Sequence, residues 1–347
     1  MLHSIGTWIT RRALVAAMVA ASCVLAGPPP SAAQPDPLPS WNEGPAKTAI
    51  IALVTQTTEK GGPRFVEPAQ RIAVFDQDGT TWVEHPVYSQ ALFALDRVAA
   101  LAPRHPKWKR TEPFKSILAG DFAAIARFSE KEWLEIVAVT HAGMSTADFE
   151  KLVREWLPNS KNPVLKRPVT ELVYQPMLEV MAYLRANGFK TYIVTGGGQE
   201  FVRPYSDAVY GIPAEQVVGS SIVTKYEYRD GKPILMRQPK LFFNDDFDGK
   251  AIGINTFIGK RPLIAFGNSD GDRQMLEWTT AGEGARLGLL VLHDDPEREF
   301  AYGPANGLPD TKVGTFSPSL MDEAKARGWS VISMKNDWSR IFPGPKP

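Results

Sequence analysis

"RIAVFDQDGTTWVEHP", from Arg71 to Pro86, is the stretch on which the reading of the chain turns. Its Ile72–Phe75 segment is short and wholly apolar, the pattern of a strand buried on both faces of a parallel sheet. The strand ends in two carboxylates one residue apart, Asp76 and Asp78, followed by Gly79-Thr80. A tight polar turn with Asx hydrogen bonds would use these residue types. So would a nucleophile and an acid/base group at the mouth of a sheet. Strand alternation places residues i and i+2 on the same side, so Asp76 and Asp78 would face one substrate.

Outward from this stretch the chain alternates. "PAKTAIIALVTQTTEKGG" (Pro45–Gly62) reads as a helix with proline in its first turn and a Gly-Gly stop. Between about Tyr88 and Val169 the pattern is helical, and about four helices are expected. Two starts are well marked: Ser129…Glu132 and Ser145…Asp148 are capping boxes, with Phe128/Trp133 and Met144/Phe149 as hydrophobic staples. "YQPMLEVMAYLRANG" then carries Met177, Leu178, Met181 and Leu184 on one helical face, with Gly188 at the C′ position. Strands are expected at Phe189–Val194, Arg261–Gly267, Arg286–His293 and near the end of "SLMDEAKARGWSVISM". "SIVTKYEYRDGKPILMRQ" reads as a hairpin turning at Asp230-Gly231. Strands alternating with helices predict a parallel α/β sheet with helices on both faces.

In such sheets ligands bind beyond the carboxyl ends of the strands. Three strand ends are polar: Asp76-Gln77-Asp78-Gly79-Thr80, Thr195-Gly196-Gly197-Gly198, and Gly267-Asn268-Ser269-Asp270-Gly271-Asp272. Carboxylates, a hydroxyl, an amide and glycine backbone together suit a magnesium–phosphate site. Mg²⁺ takes hard oxygen ligands, usually one or two carboxylates plus water and substrate phosphate. Glycine backbone lets N–H groups approach phosphate oxygens.

The 347 residues are 44% hydrophobic and 22% charged, enough for a large core in one or two domains. A net charge of +1 and a pI near 7.8 leave no basic footprint for nucleic acid. At the N-terminus, Arg11-Arg12 precede the apolar stretch Ala13–Ala26, too short to span a bilayer comfortably, and Ser31-Ala32-Ala33 offers a cleavage site. A signal peptide over residues 1–33 is therefore expected, with a mature start near Gln34. Export would be to the periplasm or medium, by the ordinary route or the twin-arginine route that "TRRALV" resembles. No membrane association is expected after cleavage. Cys23 is the only cysteine and would leave with the signal, which excludes cysteine catalysis, disulfides and cysteine metal sites from the mature chain.

The order DxDGT, Thr-Gly, lysine and "GNSDGD" resembles the motifs of haloacid dehalogenase-like (HAD) phosphohydrolases, over Ile72 to Asp272. The resemblance implies a Rossmann-like core over 34–86 and 170–347, and an inserted helical cap over 87–169 of the phosphoserine-phosphatase-like kind. It makes Asp76 the nucleophile and Asp78 the general acid/base, the group that halide-cleaving members lack. Thr195 and the Gly196 N–H would bind the phosphoryl group. Mg²⁺ would be held by Asp76, Asp78 through its main-chain carbonyl, and Asn268. Gln77 would offer only its backbone. Of two candidate lysines, Lys260 stands about 16–20 Å from the catalytic end of its strand at ~3.3 Å per residue. Lys250 is at the start of a helix facing that edge, so it would pin Asp76 and offset phosphoryl charge.

The third loop departs from the family's GDxxxD pattern, with Asn268 in place of an aspartate and Asp272 at the second acidic position. Either the metal affinity is weaker or Asp270 joins the coordination shell, with Asp272 in second place around it. The implied function is Mg²⁺-dependent hydrolysis of a small-molecule phosphate ester through an aspartyl-phosphate. The alternatives are a phosphate-binding protein without turnover and a phosphotransferase or mutase. Nothing in the sequence points to an oligomeric state.

Other polar residues carry blander expectations. Trp82 and Glu84 could serve a flap or substrate contact, or core packing and a surface salt bridge respectively. His141 is expected as a cationic partner of its helix C-terminus, Asp294-Asp295 as a turn or cap, and Arg203 as a surface residue.

Overall fold

The first helix among the described residues is α1 (Pro45–Thr58), whose proline occupies the first turn, where a missing N–H costs nothing. The computed structural model describes residues 35–344; the expected leader 1–33, with Cys23, lies outside them. After α1 comes β1 (Ile72–Phe75), buried along its whole length. Its alternating side chains feed two cores: Ala73 and Phe75 pack on one face of the sheet, Ile72 and Val74 on the other.

The following segment is helical, with one helix more than expected: α2 (Ser89–Leu101), α3 (Phe114–Ala119), α4 (Phe122–Ile125), α5 (Glu130–His141) and α6 (Thr146–Trp156). Both capping boxes form, at Ser129/Glu132 and Ser145/Asp148. The Phe128 and Trp133 rings meet edge to face at 6.0 Å. The insert has a small core of its own, including Leu95, Val98, Trp108, Phe114 and Ile136. Phe93, Phe149 and Val153 instead join the main core beneath it.

Strict alternation then resumes. α7 (Gln175–Ala186) buries Met177, Val180, Met181 and Leu184, while Leu178 is only half-buried. Gly188, at φ 77°, supplies the left-handed residue that turns the chain into β2 (Lys190–Gly198). Next come α8 (Gln199–Tyr210), β3 (Val217–Arg229) and β4 (Lys232–Phe243). Asp230 and Gly231 both have positive φ, 52° and 74°, as a two-residue type I′ hairpin requires. α9 (Asp248–Gly253), β5 (Ile264–Gly267), α10 (Arg273–Thr280), β6 (Leu287–Leu292), α11 (Pro318–Arg327), β7 (Ser330–Ser333) and α12 (Met334–Asp337) complete the chain.

The seven strands run in the order β4-β3-β2-β1-β5-β6-β7, parallel except for the β3/β4 hairpin. From β1 the chain continues to β2 on one side and later returns as β5 on the other. The carboxyl end of β1 is therefore the topological switch point, where a parallel sheet leaves a crevice. The stacked rings of Phe75 and Phe266, 4.7 Å apart, floor it and add about 0.5–1.5 kcal/mol beyond their area burial. This is the α/β Rossmann-like fold with a helical insertion.

Candidate active site

Phe75 is paired in register with Phe266, and the Asp76 N–H donates to the Phe266 carbonyl at 2.9 Å, so Asp76 leaves the sheet beside the loop after β5. Lys250, third residue of α9, reaches into the same place. Its Nζ donates to Asp76 Oδ1 and to Asp272 Oδ1, each at 2.5 Å, with all three side chains buried. Asp272 is itself fixed, because its Oδ2 accepts from the N–H groups of Asn268 and Ser269 at 2.9 and 3.0 Å. One ammonium thus ties the end of β1 to the loop after β5. Lys260 lies at the other end of the sheet, donating to the Ala69 carbonyl.

Burial and the nearby Asp272 push the Asp76 carboxyl above its ordinary range, with Lys250 pulling the other way. Burial alone would lower Lys250; Asp272 and Asp76 outweigh it and raise its pKa. Asp78 is pushed up to about 6 by burial, against the opposing pull of the Trp82 hydrogen bond and Lys250. Trp82 Nε1 donates to Asp78 Oδ1 at 2.7 Å, and its buried ring stacks on Tyr205. Trp82 is therefore packing that also grips Asp78. Gln77 is not limited to its backbone, since its side chain donates to the Tyr205 hydroxyl at 2.6 Å.

The Thr195–Gly198 stretch is strand rather than a loop after one. Thr195 pairs with Gly219 and Gly198 with Ser220, so Gly196 and Gly197 form a bulge outside the ladder. Thr195 Oγ1 accepts from the Gly197 N–H at 3.0 Å, which leaves the hydroxyl proton to donate elsewhere. A Cβ on Gly197 would sit 3.2 Å from Thr195 Oγ1 and 3.8 Å from Asp78 Oδ2, so hydroxyl and carboxylate face the same bulge. Gln90 on α2 accepts from the Gly198 N–H at 2.8 Å, fixing its amide oxygen there. Its nitrogen then donates to His141 Nε2 at 3.1 Å, so His141 is neutral with its proton on Nδ1, toward Thr140. Burial, with Arg237 and Arg97 nearby, lowers the His141 pKa to about 3. A neutral ring cannot be the cationic dipole partner expected of it; it is one link of the insert's hold on β2.

Asn268 is buried with both ends of its amide bonded. Oδ1 accepts from Thr80 Oγ1 at 3.1 Å and Nδ2 donates to Glu84 Oε1 at 2.7 Å. Glu84 is not on the surface in a salt bridge: it is 2% exposed and also accepts from the Tyr302 hydroxyl at 2.8 Å. Asp270 turns away, toward the Ser317 hydroxyl at 2.7 Å and Arg273 at 3.5 Å. The structure thus brings together Asp76, Asp78, Thr195, Gly196, Lys250, Asn268 and Asp272, and directs Asp270 elsewhere. Asp294 and Asp295 cap backbone N–H groups, and Arg203 donates to the carbonyls of Ala214 and Val217.

Sequence reasoning missed three contributors. Asp246 packs against Gly196 and Gly271, where a Cβ would approach it to 3.2 and 2.7 Å. Its neighbour Asp245 is fully buried, and burial pushes its carboxyl up to about 8. Asp245 and Asp246 sit in an acidic helix start, "NDDFDGK", whose pattern alone does not separate a buried carboxylate from a helix cap. Gln90, an isolated glutamine on an amphipathic helix, left no sequence signal. Behind the site, His293 Nε2 donates to the Gly79 carbonyl at 2.8 Å, and Nδ1 contacts Glu299 at 3.0 Å.

The model of the haloacid dehalogenase-like hydrolase family matches residues 73–277. No curated protein matches the chain. Among solved structures, a protein of unknown function from Bordetella pertussis Tohama I is 19% identical, covering 76% of this chain and 98% of its own at a TM-score of 0.45. One from Anaerococcus prevotii DSM 20548 is 15% identical, covering 74% and 91%, at 0.48. A phosphoserine phosphohydrolase-like protein from Francisella tularensis is 18% identical, covering 64% and 88%, at 0.36. These structures say nothing about chemistry. The family match spans more than half of the sequence: the chain belongs to the haloacid dehalogenase-like hydrolases.

Proposed function

We propose that the chain is a magnesium-dependent phosphomonoester hydrolase that works through an aspartyl-phosphate on Asp76. The observation that carries this reading is Lys250, whose buried ammonium bridges Asp76 and Asp272 at the topological switch point. An attacking carboxylate beside a fixed cation suits an incoming dianion, whose charge must be offset as it transfers. The first step forms a bond from an Asp76 oxygen to phosphorus and breaks the ester P–O bond. Asp78 gives its proton to the departing oxygen. In the second step Asp78 takes a proton from water, the water oxygen bonds to phosphorus, and Asp76 is released with inorganic phosphate. The Thr195 proton and the Gly196 N–H would hold phosphoryl oxygens through both steps.

Among the described residues no three His, Cys, Asp or Glu side chains converge as a metal cage. Magnesium does not need one, since it keeps several waters and takes few protein oxygens. Asp76, the Asp78 carbonyl and Asn268 Oδ1 are all hard oxygen donors and fit it. When bound, the ion would neutralise phosphoryl charge and orient the group for in-line attack. The helical insert over 87–169 would act as a cap, joined to the site through Gln90 on Gly198. A cap in this place restricts the substrate to a small phosphate ester. An exported location rests on residues 1–33 alone.

The test is release of inorganic phosphate from a panel of phosphorylated metabolites. Activity should vanish in EDTA and return with Mg²⁺. Metal-independent turnover, or none on any ester, would refute the reading.

A further inference from the structure

Asn268 stands where the family pattern places a carboxylate, and its surroundings are built to hold an amide in one orientation. Nδ2 donates to Glu84 Oε1 at 2.7 Å, Oδ1 accepts from Thr80 at 3.1 Å, and the backbone N–H is fixed by Asp272 at 2.9 Å. Flipping the amide would set its oxygen against Glu84 Oε1, and both would be acceptors. Glu84 is held in turn by the Tyr302 hydroxyl at 2.8 Å. The Tyr302 ring is stacked between His85 and His293, with centroids 3.9 and 4.3 Å away.

Room for this carboxylate comes from two glycines with positive φ. A Cβ on Gly79 (φ 79°) would lie 2.3 Å from Glu84 Oε1 and 2.1 Å from Asn268 Nδ2; one on Gly314 (φ 64°) would lie 1.7 Å from Glu84 Oε1. Tyr302 and Gly314 lie beyond residues 73–277, which the family model covers. The chain's own C-terminal segment therefore builds the pocket that holds Glu84.

We propose that Glu84 is the positioning residue for Asn268: it takes the amide nitrogen, so that the amide oxygen is the atom turned toward Thr80 and the cation site. This deepens the magnesium reading given above and rests on it. It also changes what restoring the family aspartate should do. In Asn268→Asp the donor to Glu84 becomes a second oxygen, so the two carboxyl groups, meeting at hydrogen-bond distance, must either repel or take up a shared proton that Mg²⁺ binding would have to displace. In the double variant Glu84→Gln/Asn268→Asp, the glutamine amide can donate to the new aspartate and the pair is complementary again.

The experiment is calorimetric titration of the full chain with MgCl₂, without substrate, alongside thermal unfolding of the metal-free protein. Glu84→Leu, which removes the acceptor that a glutamine carbonyl would keep, should weaken Mg²⁺ binding about tenfold, the lower end for losing an outer partner of a metal ligand. Asn268→Asp alone should lower the metal-free Tm and gain no Mg²⁺ affinity. The double variant should recover both quantities toward the parent's values. A merely structural Glu84 would show the Tm coupling without coupling in Mg²⁺ affinity, and that result overturns the proposal. So does tighter Mg²⁺ binding in Asn268→Asp alone. If Glu84→Leu does not fold, Tyr302→Phe removes one donor to Glu84, and unchanged Mg²⁺ affinity there is equally contrary. A protein that binds Mg²⁺ with this coupling but cleaves no ester would refute the hydrolase reading alone. Hydrolysis without the coupling would refute the Glu84 assignment alone.

Discussion

At the scale of single residues the site separates two carboxylates by environment. Asp76 is bonded to a lysine, whereas Asp78 is bonded to an indole N–H and pushed up to about 6 by burial. An acid that is still partly protonated near neutral pH is suited to protonating an alkoxide. Asp78→Asn should slow hydrolysis of alkyl phosphates about 10²–10⁴-fold, and of an aryl phosphate much less, because a phenolate leaves without help. Equal losses on both substrates would remove Asp78 from the acid role. Trp82→Phe deletes the donor that stabilises the charged form, so Asp78 should stay protonated to higher pH. The corresponding limb of the kcat pH profile should move upward, and a downward shift would contradict the contact's role. Lys250→Met leaves Asp76 and Asp272 without their cation. A loss of about 3–5 kcal/mol is expected by denaturant unfolding at pH 8. The loss should shrink at pH 5, where Asp76, pushed above its ordinary range by burial, can take up a proton instead.

Secondary-structure elements carry these residues through local choices that the sequence shows unevenly. β1, both capping boxes and the Asp230-Gly231 turn were legible, because each rests on a pattern within a few residues. The bulge at Gly196-Gly197 was not, since only pairing with β3 makes it a bulge. The fifth insert helix escaped because α4 (Phe122–Ile125) is one short turn capped by Asp121, below the length at which periodicity shows. The β3/β4 hairpin gave no hint that it would brace the insert. Arg237 on β4 donates to the His141 carbonyl at 2.6 Å and lies over the Phe149 ring at 4.0 Å. Arg237→Ala should cost about 1.5–3 kcal/mol for the charged hydrogen bond. Amide exchange should rise first in residues 141–149; unchanged protection there would mean that the insert stands without the hairpin. α9 is led in by Phe247, at φ 52° and ψ −121°, in a turn closed by the Gly249 N–H on the Asp246 carbonyl at 2.9 Å. A non-glycine residue in that conformation is strained by about 1–3 kcal/mol. Phe247→Gly should raise stability by about 1 kcal/mol, measured as a shift in the denaturant midpoint.

For the whole molecule, the buried titratable groups set a pH dependence whose sign follows from their shifts. Asp78 and Asp245, raised from 3.8 to about 6 and about 8, favour the folded state most below pH 3.8, and that contribution is lost as pH rises through the raised values. His141, lowered from 6.5 to about 3, contributes stability that is complete above 6.5 and fades as pH falls toward 3. Between about pH 6.5 and 8 Asp245 is the one of these groups that still changes, at up to ~1.4 kcal/mol per pH unit, since Asp78 has lost most of its proton by then. The metal-free Tm should therefore fall across that interval, and added Mg²⁺ should recover more of it at pH 8 than at pH 6.5. A metal-free Tm that rises with pH would contradict the burial argument.

The molecule as a whole was more legible than its site. Alternating strands and helices give the sheet without any long-range information, and the three polar strand ends point to its switch point. What the sequence hid were contacts between distant segments: Glu84 on Asn268, Gln90 on Gly198 and Tyr302 on Glu84. Each joins residues whose separation along the chain carries no periodicity, so only the folded chain shows them. The central claim remains that Asp76 attacks phosphorus. It is tested most directly by single-turnover hydrolysis of an aryl phosphate in saturating Mg²⁺, with wild type and Asp76→Asn compared at equal metal occupancy. The account predicts inorganic phosphate from the wild type and a loss of at least about a thousandfold in the variant; a variant that hydrolyses the ester at a rate near the wild type's would contradict it.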